Sequence, residues 1–158
     1  MDVPTVRDRL RHADARVAAA AAALPDDPLR PACHYLPAAC WMNDPNGPFF
    51  DADGWLHMFH QFNPFGDEWG HMHWAHARTR DLVRWERLPV ALAPDGVGGE
   101  IHCYSGCTFH DRDGGPVAFY TSVAKDWPFT QRLARPADAS LREWAADPAP
   151  VLTIDHPG

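Results

Sequence analysis

Asp51-Ala52-Asp53-Gly54-Trp55-Leu56-His57-Met58-Phe59-His60 reads as a tight Asp-Gly turn running into an aromatic-rich strand. Sixty positions later the chain writes a similar phrase, Asp111-Arg112-Asp113-Gly114 followed by Pro116, Ala118 and Phe119-Tyr120. A second landmark repeats with nearly the same offset: Asp81-Leu82-Val83-Arg84-Trp85 has its echo in Ser140-Leu141-Arg142-Glu143-Trp144. Two landmarks with nearly the same offset define a repeat. The unit is a hairpin with an Asp-Gly turn, then a further strand pair whose turn carries Asp/Ser-Leu-x-x-Trp. Four short strands in roughly sixty residues is the size of a propeller blade.

The 158 residues hold 16 prolines, 7 tryptophans and 10 histidines. So many prolines disfavour long helices and favour short elements joined by turns. The tryptophans call for a large aromatic core or a ring-lined ligand site. A net charge of −7, with no basic run, argues against nucleic acid as a partner. No segment approaches the roughly 18 apolar residues of a membrane span, so no membrane partner is expected. Cys33, Cys40, Cys103 and Cys107 form no dense framework, and the Ala-rich stretch before Pro25 lacks the flanks of a secretion signal. Free thiols and a cytoplasmic location are the expectation.

Ahead of the repeats, residues 5–24 read as the only long helix. Thr5 and Asp8 form a capping-box-like start, and Val6, Leu10, Ala13, Val17, Ala20 and Leu24 recur at helical spacing. Arg7, Asp8, Arg11 and Asp14 make a solvated charged face, and Pro25 ends the helix. Residues 1–30 are thus a helix and connector, and 31–158 a partial propeller. Propellers usually have four to eight blades, and two units are visible, so the chain reads as part of a larger one.

Four stretches are candidates for chemistry. Trp41-Met42-Asn43-Asp44-Pro45-Asn46-Gly47 packs a carboxylate, two carboxamides, a rigid proline and a glycine between apolar neighbours. It is either a tight turn with a solvated aspartate or a carboxylate held for a polyhydroxylated ligand. In Gln61-Phe62-Asn63-Pro64-Phe65-Gly66, Gln61 and Asn63 share a strand face, so both carboxamides can point at a ligand, unless Asn63 caps an Asx turn. His71-Met72-His73-Trp74-Ala75-His76 invites a metal, but on a strand His76 points away from His71 and His73. No carboxylate or cysteine completes a site, so neither metal nor cofactor is expected. Trp69 and Trp74 either stack on a sugar or pack in the core. Cys103-Tyr104-Ser105-Gly106-Cys107 offers hydroxyls, with no base placed to activate Ser105 and no cation to lower a thiol pKa.

Together these stretches resemble the N-terminal part of glycoside hydrolase family 32, the invertase and β-fructofuranosidase family, most closely its bacterial sucrose or sucrose-6-phosphate hydrolases. The resemblance rests on Trp41 to Gly47, Gln61 to Phe65, His73 to Ala77, Asp81 to Glu86, Leu88 to Asp95 and Tyr104-Ser105-Gly106, and covers essentially the whole chain. It implies an all-β fold: about two blades of a five-bladed β-propeller, preceded by one amphipathic helix. It also implies retaining hydrolysis of terminal β-D-fructofuranosides such as sucrose or sucrose-6-phosphate, with Asp44 as nucleophile. Asn43, Gln61, Trp69, Trp74 and Ser105 would bind the saccharide substrate. The family's general acid, in a Glu-Cys motif, and its Arg-Asp-Pro aspartate have no counterpart here. Cys107 replaces a serine, and Cys40 stands where relatives often carry glycine. The expectation is a truncated glycosidase, inactive alone, with a fructosyltransferase or a non-catalytic sugar-binding remnant as alternatives.

Overall fold

The structure, a computed structural model, describes residues 4–31, 33–125 and 129–153. Helix α1 (Val6–Ala23) begins at a reciprocal capping box: the Thr5 hydroxyl accepts from the Asp8 backbone N–H, and the Asp8 carboxylate accepts from Thr5. Two antiparallel sheets follow, in sequential order. The first holds β1 (Trp41–Phe50), β2 (Leu56–Asn63), β3 (His73–Thr79) and β4 (Trp85–Leu92). The second holds β5 (Glu100–His110), β6 (Pro116–Ala124), β7 (Phe129–Pro136) and β8 (Trp144–Ala146), with β9 (Leu152–Thr153) on the same edge of β7. β5 lies against β1, and β8 approaches β4. Two meanders stacked this way, inner strand to inner strand, are consecutive propeller blades.

The sequence repeat is a repeat of atoms. In the first hairpin Asp51 Oδ1 accepts from Asp53 N and Trp55 N at 2.9 and 2.8 Å; in the second Asp111 Oδ1 accepts from Asp113 N and Gly115 N at 3.1 and 3.0 Å. Gly54 and Gly114 supply the left-handed corner at φ 78° and 81°. In the outer turns Leu82 and Leu141 take positive φ, and the indole N–H of Trp85 and Trp144 donates to their carbonyls at 3.2 and 3.0 Å. The two tryptophans then part company. Trp144 is buried between the blades, whereas Trp85 packs against Tyr35 of the connector, ring centroids 5.1 Å apart.

The core lies between the sheets, where Phe49, Phe59, Trp74, Leu92, Cys103, Tyr120 and Trp144 meet. Burying each large ring or aliphatic chain contributes about 1.5–3 kcal/mol. Behind them Arg132, 2% exposed, pairs with Asp95 at 2.7 Å and Glu100 at 3.3 Å, while the Tyr120 hydroxyl donates to Glu100. This network ties the β4–β5 connection to the second blade. On the outer side, Ala13, with Leu10 and Val17 beside it, packs on Phe62, Ala75 and Val90.

Two expectations change here. Asp14 does not sit on a solvated face: its carboxylate accepts the Val90 N–H at 3.0 Å, and burial raises its pKa. It docks the helix on β4. The apolar stripe is also shorter than the periodicity suggests, because Val6 and Leu24 remain exposed.

Candidate active site

Trp41 to Gly47 forms no turn. It is the first half of β1, and its turn-forming residues produce two bulges within the strand. Met42 pairs with Phe62 and Pro45 with His60, so Asn43 and Asp44 together oppose the single residue Gln61. A second extra residue enters between Asn46 and Phe49. Proline has no N–H for the ladder and is found in sheets at edges or bulges; a bulge re-aims the side chains it carries. β5 does the same: Tyr104 pairs with Thr121 and Gly106 with Tyr120, leaving Ser105 as the extra residue. Gly106 makes this possible, since a Cβ there would stand 1.9 Å from the Phe119 carbonyl oxygen.

The bulged residues of the two inner strands meet. Ser105 Oγ donates to Asp44 Oδ2 at 2.8 Å. Around them Trp41, Asn43, Gln61, Trp69, Met72, Tyr104 and Thr121 line an open cleft of about 370 Å³. Bonds between the blades set the geometry. Gln61 Nε2 donates to the Cys103 carbonyl at 3.0 Å, Cys103 N–H to the Met72 carbonyl at 2.9 Å, and the Trp74 indole N–H to the Tyr104 carbonyl at 3.0 Å. Beneath, Gly47 takes φ 47° with its carbonyl accepting from Thr108; a Cβ there would lie within 3 Å of Thr108 and Cys107 backbone atoms. Blade one is thereby locked to blade two directly under Asp44.

Of the six residues singled out in the sequence, Asp44, Asn43, Gln61, Trp69 and Ser105 converge on this cleft. Trp74 does not reach it. At 0% exposure it lies in the core and acts from below, through Tyr104. Asn63 also turns away: it caps the following loop, accepting from Phe65 N at 3.0 Å and donating to the Glu68 carbonyl at 2.8 Å. His71 and His73 face a different cavity, while His76 points into the core and meets His57 at 2.9 Å. Trp41, Met72 and Thr121 are cleft residues that sequence reasoning did not propose as ligand contacts. Trp41 belongs to the motif itself, but Thr121 enters only through its register with Tyr104.

Asp44 is the sole carboxylate lining the cleft among the described residues, and its carboxylate is open to a ligand. Cys103 is no rival nucleophile, since burial first, then the nearby Glu100 and Asp95, push its thiol pKa well above normal. An anchored carboxylate, two carboxamides, a hydroxyl and indole rings make a site for a polyol with an electrophilic carbon.

A carboxylate cleft between the inner strands of two consecutive blades defines the chain as part of a β-propeller with a polar ligand site, and comparison with known proteins gives its family. Residues 34–158 match the glycosyl hydrolases family 32 N-terminal domain; the chain belongs to this family. It is 43% identical over 133 residues to beta-fructofuranosidase 1 of Zea mays, covering 82% of this chain and 20% of that protein. It is 42% identical over 121 residues to the sucrose-6-phosphate hydrolase of Zymomonas mobilis, covering 77% and 23%. Among solved structures, the Bombyx mori beta-fructofuranosidase in complex with sucrose matches with a TM-score of 0.79 and 30% identity, over 94% of this chain and 31% of that one. The chain thus spans about a fifth of the curated relatives' length.

Proposed function

We propose that the protein hydrolyses terminal β-D-fructofuranosides, sucrose or its phosphate among them, with retention at the anomeric carbon. The observation that carries this reading is the Asp44–Ser105 pair, a carboxylate fixed by a hydroxyl across two bulged strands and facing an open polyol cleft. Asp44 attacks the anomeric carbon of the fructosyl unit, forming a carbon–oxygen ester bond as the glycosidic bond breaks. The leaving oxygen takes a proton from a general acid. Water then attacks the anomeric carbon, gives its proton to that same group, and frees the carboxylate as the ester bond breaks.

Ser105 holds one carboxylate oxygen, which leaves the other for attack. Asn43 and Gln61 flank it with carboxamides suited to the fructosyl hydroxyls, and Trp69 offers a ring for a sugar face. Retention needs a second carboxyl about 5–5.5 Å from the nucleophile. The reading assigns this acid to a residue outside the described lining of the cleft.

The test is turnover of sucrose by the full-length enzyme. Equal release of glucose and fructose, with the first-formed fructose keeping the β configuration, is expected. Asp44→Asn lowers kcat by about 10⁴-fold or more, as loss of a nucleophile does. Fructosyl transfer to a second sugar in place of fructose release would reassign the protein as a transferase; unimpaired Asp44→Asn would remove the nucleophile from the reading.

A further inference from the structure

The inner strands β1 and β5 belong to separate sheets, so side chains carry the register between them where a backbone ladder does not. Three rungs follow one another. Ser105 Oγ donates to Asp44 Oδ2 at 2.8 Å, Gly106 N–H to Asn46 Oδ1 at 3.4 Å, and Thr108 Oγ1 to the Gly47 carbonyl at 3.0 Å. The middle rung stands apart from the cleft: Asn46 is 2% exposed and lies outside the lining.

Stability does not account for Asn46. Because Gly106 offers a donor, the carboxamide turns its oxygen to β5, and this fixes the amide. Its Nδ2 is then buried with no acceptor among the described residues. A buried unpaired donor destabilises a fold, and an apolar side chain of the same branching removes that penalty. The one bond that Asn46 makes is long for an N–H···O contact.

Position does account for it. Gly106 N–H belongs to the peptide that begins at the Ser105 carbonyl, and Ser105 is the extra residue of the β5 bulge, where the ladder is interrupted. Asn46 holds this peptide from the β1 side. On the other side Gly106 lies so close to β6 that a Cβ would stand 2.8 Å from Tyr120 Cα. Clamped between the two, the peptide cannot swing, and the direction of the Ser105 side chain follows from it. Between Asn46 and Asp44 stands Pro45, whose locked φ keeps the two side chains in a fixed relation.

We infer that Asn46 is a positioning residue for the Asp44 carboxylate, acting through the Gly106 N–H and Ser105, and held in place at a cost in stability. The inference rests on the fructosidase reading for the role of Asp44, and its test separates the two.

The experiment is a double-mutant cycle in the full-length enzyme: Asn46→Leu, Ser105→Ala and the two combined, each followed by sucrose turnover and a urea midpoint. Asn46→Leu is expected to keep or raise the midpoint while kcat falls about tenfold, the scale of one lost bond to a charged group, with KM nearly unchanged. Because Asn46 acts through Ser105, the combined variant should be no slower than Ser105→Ala alone. Asn46→Ala repeats the cycle in case leucine overfills the space. Losses that multiply in the combined variant overturn the inference. So does an unchanged kcat, or one that falls only in step with the folded fraction. Asp44→Asn tells the two failures apart. If it is inactive and the losses multiply, the positioning role alone is wrong; if it turns over sucrose normally, the fructosidase mechanism is wrong and the positioning role falls with it.

Discussion

Asp44 and Ser105 are 61 positions apart, yet they occupy matching places: each is a bulge residue on an inner strand. Ser105→Ala leaves the Asp44 carboxylate in the cleft without its anchor. A hydrogen bond to a charged group contributes about 1.5–3 kcal/mol, so a fall in kcat of roughly tenfold or more is expected, with KM changed less. Single-turnover kinetics measure it; an unchanged rate would show that the bond does not position the nucleophile.

The buried histidines make stability depend on pH. Burial lowers the pKa of His60 and His73 to about 4, partly offset by their bonds to the Gln61 and His71 carbonyls. The unfolded chain takes up these protons below pH 6.5, its ordinary histidine value, while the folded chain refuses them until about pH 4. Stability is thus full above pH 6.5 and falls as the pH drops from 6.5 to 4, by up to about 3 kcal/mol per histidine. Urea midpoints at pH 7.5 and 4.5 report this, and His60→Gln should flatten the slope. Equal midpoints would contradict it.

At the scale of the elements, glycine conformations separate two kinds of position. Gly106 has no room: a Cβ would overlap the Phe119 carbonyl, so Gly106→Ala should cost at least about 3 kcal/mol or block folding. Gly54 and Gly114 face open space and carry only the left-handed backbone, so alanine at either should cost about 1–2 kcal/mol. The matched pair is the sharper prediction, because the repeat requires both hairpins to respond alike in thermal melts. What the sequence made readable follows the same division. Asp-Gly turns, the capping box and the Leu-x-x-Trp corners are local chemistry, set by neighbours within four residues, and appear in the structure as read. The inner strands do not, because Asn-Asp-Pro and Asn-Gly signal turns in isolation. Only pairing with β2 and β5 turns those breakers into bulges, and no local signal tells the two outcomes apart. Trp74 stays open in the sequence for a related reason: aromaticity alone does not say whether a ring faces a sugar or, as here, the neighbouring blade.

Over the whole molecule, the sequence carries both blades, and five of its six candidate residues line one cleft, since the motif order resembles a family with this arrangement. Asp14's role in docking α1 and the histidine cavity could not be read, because each depends on segments far apart in the chain meeting over the first blade. The described cleft contains Asp44 and no second carboxylate, so under the proposed reading the 158 residues alone are expected to bind fructosides and, without an acid supplied from elsewhere, to leave sucrose intact. Turnover by that polypeptide, abolished by Asp44→Asn, would contradict this.

Nucleophilic attack by Asp44 can be tested without a general acid. Fructosyl fluoride has a leaving group that departs without protonation, so only the attacking carboxylate is needed for ester formation. The protein is mixed with this substrate, quenched in acid, and its peptides are weighed. The account predicts one added fructosyl unit on the peptide holding Asp44, lost in Asp44→Asn. A label on any other residue, or one that survives that substitution, would contradict it.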